Sequence, residues 1–184
     1  MRRLLIVVPV LICGAAIAAV PLVRSDISGA QILPRQGHGN TDSAAARGLA
    51  APLSRFGIGL LAREAALDAG NVVVSPASLH AALSMLLVGA AGETAAEMRT
   101  ALQLEDVSTQ DLNQGWADLI TSAQCGKNPE LQIADSLWLK KGLPFLDSFI
   151  DLNRDYYAAE IGELLPDPAT AADAINAWVA ERTA

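Results

Sequence analysis

Residues 71–102 read NVVVSPASLHAALSMLLVGAAGETAAEMRTAL, and this stretch decides the architecture. Asn71 precedes three valines, Val72, Val73 and Val74; a short β-branched run predicts one buried strand. Ser75 and Pro76 then open a helix, the serine placed to cap and the proline to take the first helical position. In residues 77–88, Leu79, Ala81, Ala82, Leu83, Met85, Leu86, Leu87 and Val88 leave almost no polar face. A helix apolar nearly all round is expected to run through the middle of a core. Thr94 and Glu97 have capping-box spacing and predict a third helix reaching Leu102. A central helix needs layers on several sides, which hints at a body larger than this chain supplies.

The flanking sequence alternates helix and strand irregularly. Upstream, Leu53, Phe56, Leu60, Leu61 and Leu67 recur at helical spacing, with Gly70 closing that helix. Downstream, a helix over 108–123 puts Leu112, Trp116, Leu119 and Ile120 on one side. Residues 131–141 alternate with period two: Leu131, Ile133, Leu137 and Leu139 face one way, Gln132, Ala134, Ser136, Trp138 and Lys140 the other. Pro144 opens a helix through Tyr157, and Glu160 to Leu165 can form a short strand. Asp167 and Pro168 begin a last helix with Ala171, Ala174, Ile175, Trp178 and Val179 as its buried stripe. The pattern predicts an α+β fold rather than a doubly wound sheet.

Charge and composition exclude several functions. The 184 residues carry a formal charge of −7 and a pI near 4.7. From residue 48 onward, 8 basic and 18 acidic residues leave about −10. No basic face is available to displace counterions from nucleic acid or to hold anionic lipid. The hydrophobic fraction of 52% concentrates at the N-terminus, where Leu4 to Val23 run twenty residues without a charge after Met1-Arg2-Arg3. The small-x-small triplet Ala16-Ile17-Ala18 fits a secretory signal cleaved after Ala18. The run is also long enough to span a bilayer as a retained helical anchor. Residues 1–23 are thus expected to be a signal peptide or membrane anchor, residues 24–47 a flexible linker, and residues 48–184 the folded part. Export follows on either reading, and the alanine-rich leader points to a bacterial source. Cleavage would leave Cys125 as the remaining cysteine, expected as a free thiol in a loop. His38 falls in the linker and His80 in an apolar helix, so no metal cluster and no cofactor segment is expected. His80 is expected to be a semi-buried helix residue. Ser75 and His80, five apart on one helix, point different ways, so no hydrolase and no catalytic residue is expected.

Taken in order, Asn71 to Leu102, then Ile133-Ala134-Asp135-Ser136-Leu137-Trp138, then Ala174-Ile175-Asn176-Ala177-Trp178-Val179 with Thr183 after it, resemble the serpin family. The first matches its strand, Ser-Pro-x-Ser, buried helix and Gly-Ala-x-Gly-x-Thr. The second matches its Ala-Asn-x-Leu-Phe/Trp strand, and the third the Ile-Asn-x-Trp-Val-x-x-x-Thr helix packed across the large sheet. The resemblance covers about residues 50 to 184. Asp135 stands where the family usually has Asn, a departure that touches one polar contact of the strand.

The resemblance implies an α+β serpin-like fold, incomplete over these residues: N-terminal helices around a buried central helix, with strands of a large sheet. It implies structural roles for the family-motif positions Ser75, Pro76, Ser78, Asn176, Trp178 and Thr183. The positions of Ser75 and Ser78 lie where the large sheet opens, and Asn176 and Trp178 are expected as packing residues. It also implies an inhibitor of serine proteases, or of cysteine proteases, in a full-length form, secreted or periplasmic, with the protease as partner. Family inhibitors present a long loop near the C-terminus that the protease cleaves and that inserts into the sheet; that loop is expected downstream of position 184, so this chain is not expected to inhibit alone. The alternative is a non-inhibitory exported or membrane-anchored module of truncated serpin origin. Without sheet neighbours, the strand at 131–141 is expected to expose its edges.

Overall fold

The structure, a computed structural model, describes residues 4–7, 11–13, 43–67, 70–124 and 131–183; the side chains of 4–7, 11–13, 131, 132 and 183 are outside that description. In chain order the elements are β1 (Leu4–Val7), β2 (Leu11–Cys13), α1 (Ala44–Leu67), α2 (Pro76–Leu87), α3 (Gly92–Ala101), α4 (Thr109–Gln124), β3 (Leu131–Ala134), β4 (Ser136–Lys140), α5 (Asp147–Tyr157), β5 (Glu160–Leu164) and α6 (Pro168–Thr183).

The sheet is built around β4. It pairs in parallel with β5, Ser136 opposite Glu160 through Lys140 opposite Leu164, and α5 supplies the crossover that a parallel pair requires. On its other edge β4 pairs in parallel with β2, while β3 pairs in parallel with β1. The edge expected to be open is therefore filled. Its unpaired N–H and C=O groups recruit the apolar, β-branched N-terminal run, and Leu4–Val7 and Leu11–Cys13 are strands rather than turns of a helix. No helix among the described residues is long and apolar enough to cross a membrane. The expected cleavage point after Ala18, most of the expected linker and the Cys125 loop lie outside the described residues.

The alternation of residues 133–140 holds. Leu137 and Leu139 enter the main core with Leu49, Met85, Leu102, Leu104, Leu112, Trp116, Phe149 and Tyr157. Trp138 points to the opposite face, where Trp178 and Leu164 are buried with it. α2 is buried along Ser78, His80, Ala81, Ala82, Ser84, Met85 and Leu87, as an all-round apolar helix must be.

Several boundaries move. α1 begins at Ala44, inside the stretch expected as a tether, because the Ser43 hydroxyl accepts from the Ala46 amide at 3.0 Å and caps the helix there. Residues 71–74 are not a strand, and Val73 is 94% exposed. β-propensity alone does not make a strand without a ladder partner, and none of the described strands pairs with this run. α3 starts at Gly92 with Ala91 as its cap, so the Thr94–Glu97 spacing falls inside the helix and makes no capping box. α5 starts at Asp147 rather than Pro144. Its end is closed by Ala158, left-handed at φ 52°, whose amide reaches the Asn153 carbonyl. Two helices that start where expected are capped by side chains. The Asp111 amide donates to the Ser108 hydroxyl at 3.0 Å, and the Thr170 amide to the Asp167 carboxylate at 2.8 Å.

Close helix packing rests on glycine where α4 crosses α1. A Cβ on Gly115 would lie 2.7 Å from Leu49 Cδ1 and 2.8 Å from the Ala45 carbonyl oxygen, and the carbonyl cannot step aside. Gly59 has nothing within 4 Å. In urea unfolding of the chain, Gly115→Ala is expected to cost about 1–3 kcal/mol from overpacking. Gly59→Ala is expected to be neutral or to gain up to about 1 kcal/mol from helix propensity; equal effects at the two sites would contradict this packing.

Candidate functional site: a central sheet between a buried polar cluster and an outer helix

Two polar clusters flank β4, one on each face. On the inner face, His80 is 0% exposed, more deeply buried than the semi-buried setting expected of it. Its Nε2 lies 3.1 Å from the Leu102 carbonyl oxygen. A carbonyl can only accept, so Nε2 carries the proton and Nδ1 is the acceptor facing the Ser84 hydroxyl at 3.3 Å. Phe56 and Trp116 hold the ring, with centroids 5.4 and 5.7 Å away. Desolvation pushes the His80 pKa below its ordinary value and favours the neutral imidazole, and the fully buried ring between Phe56 and Trp116 is a packing residue of the core. Further along this face, the Tyr157 hydroxyl donates to Asn113 Oδ1 at 2.9 Å, and the Asn153 amide donates to the Phe149 carbonyl at 2.9 Å.

On the outer face, α6 lies against β4 and β5. Trp178 packs with Trp138 and Leu164, and its Nε1 donates to Glu160 Oε2 at 2.9 Å. The other oxygen of Glu160 pairs with Arg182 at 2.6 Å, both side chains more than two-thirds buried. One carboxylate at the start of β5 therefore clasps α6 at two points one helical turn apart. Beneath it, Gly162 stands opposite Trp138 in register; a Cβ there would be 2.6 Å from the Trp138 ring.

The six family-motif positions separate into two groups. Ser75 is the cap position of α2 and Pro76 its first residue, but the Ser75 side chain makes no capping bond. Its hydroxyl instead meets that of Ser78 at 2.7 Å, and Pro76 closes on the buried Gly57 of α1. Asn176 and Trp178 lie on α6, Asn176 exposed and Trp178 buried, and Thr183 is the last residue of that helix. The sheet stands between the groups. Glu160 and Arg182, the charged members of the clasp, were not legible beforehand, since their pairing joins a strand to a helix one crossover later. The signal present was an acidic residue opening a strand and an arginine four residues after Trp178. No group of three or more His, Cys, Asp or Glu able to hold a metal occurs among the described residues.

A helix laid across one face of a sheet, with a buried helix opened by Ser-Pro-x-Ser on the other side, is an α+β arrangement. A family model described as "Serpin (serine protease inhibitor)" matches residues 51–184. Leukocyte elastase inhibitor of Bos taurus is 37% identical over 118 residues, covering 62% of this chain and 30% of the relative. Serpin B6 of Bos taurus is 37% identical over 133 residues, 70% of this chain and 35% of the relative. The solved structure of reactive loop cleaved human thyroxine binding globulin superposes with a TM-score of 0.69 at 28% identity, covering 76% of this chain and 43% of that one. The chain belongs to the serpin family, and it spans about a third of the length of the curated relatives it matches.

Two outcomes test the clusters. Glu160→Ala leaves Trp178 Nε1 and Arg182 without their acceptor and is expected to cost about 1–2 kcal/mol, with faster amide exchange in α6 than in α2. For His80 the folded pKa is depressed, so the stability it contributes is present above the unfolded value near 6.5 and is lost as pH falls below it. Wild type should therefore lose urea stability on acidification through this window relative to His80→Gln; parallel profiles would remove the assignment.

Proposed function

We propose that these residues form the N-terminal part of an exported serpin-type inhibitor of a serine protease, with cysteine proteases as the second target class. The observation that carries the reading is the β4-centred sheet with α6 clasped across its outer face. It joins the Ser-Pro-x-Ser helix, the Ala-Asp-Ser-Leu-Trp strand and the Ile-Asn-Ala-Trp-Val helix in one frame. The protein acts on its protease through a loop carried on residues outside these 184, and the chain by itself does not inhibit. Ser75, Pro76 and Ser78 support the inner side of the sheet, Asn176, Trp178 and Thr183 the helix over it, and none is catalytic. The apolar leader directs the product out of the cytoplasm, to the periplasm or the medium; retained, it anchors the product to the membrane. Its pairing with β3 and β4 is an alternative use of the same residues.

A second reading has its own observation. Ile58, Leu61, Leu67 and Val73 are 71%, 46%, 76% and 94% exposed, large apolar side chains along α1 and the segment after it that an interaction partner could cover. A non-inhibitory exported or membrane-anchored module of truncated serpin origin would bury them against a partner. Intact mass of the product purified from its own cells decides between the two. A mass well above 19.2 kDa, together with a covalent complex resistant to denaturing gel conditions when mixed with serine proteases, supports the inhibitor. A mass near 19.2 kDa, or near it less residues 1–18, with no complex, supports the module and ends the inhibitor reading for this product.

A further inference from the structure

Asp135 sits at the junction of β3 and β4, 3% exposed, on the inner side of the sheet with Leu137 and Leu139. Neither of its carboxyl oxygens has a hydrogen-bond partner; its backbone carbonyl accepts from the Glu160 amide at 2.9 Å. An ionised carboxylate has about four lone-pair sites to satisfy and no proton to give. No donor from the surrounding side chains reaches either oxygen. From α5, Tyr157 bears on Asp135, but its one proton goes to Asn113 of α4. From α2, Ser84 lies beside Tyr157 and shares its hydroxyl with His80, whose proton is committed to Leu102. From β5, the side chain of Glu160 turns to the outer face, toward Trp178 and Arg182. No lysine or arginine is buried among the described residues.

We propose that Asp135 is a proton-binding site of the core: the chain takes up a proton there when β3 and β4 close on α2 and α5, and its ionisation loosens that contact. The neutral carboxyl is close in shape and polarity to the Asn that the family motif carries at this position, so the fold accepts Asp as a proton-sensitive stand-in. Burial pushes the carboxyl up to about 7, which puts the transition in the neutral range. The sign is opposite to that of His80. A carboxyl whose folded pKa is raised contributes stability fully present below its unfolded value near 3.8, and loses it as pH rises toward 7 and beyond. The junction of the strands is thus held more tightly in mild acid than in mild alkali.

The test compares the full chain with Asp135→Asn, which keeps the shape and removes the titration. In a carboxyl-carbon NMR titration, one aspartate signal is expected to titrate near neutrality in the wild type and to be absent from the variant. In urea unfolding, the ratio of the two chains' unfolding constants is expected to change by roughly a hundredfold between about pH 5 and about pH 8, the variant gaining relative to wild type as pH rises. Because His80 is present in both chains, its own contribution cancels in the ratio. If every aspartate titrates in the ordinary acid range, whether because the site is wet or because the sheet does not close, the proposal fails. Parallel pH profiles for the two chains would also overturn it.

Discussion

β4 must satisfy four demands at once, and the other elements are placed by how they meet them. Its two edges need hydrogen-bonding neighbours, found in β5 and in β2, since unpaired backbone groups at a buried edge cost as much as lost hydrogen bonds. Its two faces need cover because Leu137 and Leu139 are apolar on one side and Trp138 on the other. The inner face calls for α2, α4 and α5; the outer face calls for α6. Remove either cover and an apolar face of the strand, Leu137 and Leu139 or Trp138, is left to water.

The two faces are held by different physics. The inner face rests on area: large side chains such as Leu49, Met85, Leu102, Leu112 and Tyr157 are almost wholly removed from water, each worth about 1.5–3 kcal/mol of transfer free energy. Its polar groups are therefore costly unless partnered, which is why His80 is oriented at both nitrogens. The outer face has few large residues, and alanines at 171 and 174 let α6 approach closely. Less area means that the Glu160 clasp carries a greater share of the attachment. A helix held by a small apolar strip and one carboxylate is easier to lift than one held by a broad core. A sheet that must admit a further strand, as the proposed inhibitor requires, would need that property on its outer side.

What was legible in the sequence follows the same division. The period of two over residues 133–140 and the all-round apolarity of residues 77–88 were readable because burial imposes a residue type at every position it touches. The helix starts at Ser108 and Asp167 were readable because the bonds that fix them are local. Residues 71–74 misled because strand formation depends on a partner that composition does not reveal, and the Thr94–Glu97 spacing misled because helix α3 is fixed two residues earlier by the turn at Gly92, left-handed at φ 59°. The leader is readable in two ways: an apolar β-branched run fits a bilayer and a vacant sheet edge equally well, and composition does not choose between two apolar surroundings. Of the site, the motif serines and Trp178 were legible, while Glu160 and Arg182 were not, because an ion pair leaves no trace in either segment alone.

Asp135 shows how a departure from a motif becomes informative once its surroundings are known. On the sequence, Asp for Asn in the Ala-Asn-x-Leu strand is a conservative change touching one polar contact. In the fold, Asn brings its own two donors, whereas an ionised Asp brings none, and the donors of Tyr157, His80 and Ser84 are spent on Asn113, Leu102 and His80. The shortage cannot be met from solvent at 3% exposure, and a charge left unpaired in such a place costs more than taking up a proton near neutral pH. Neutrality at Asp135 is thus a consequence of donor supply around β4, the same strand whose edges and faces order the rest of the chain.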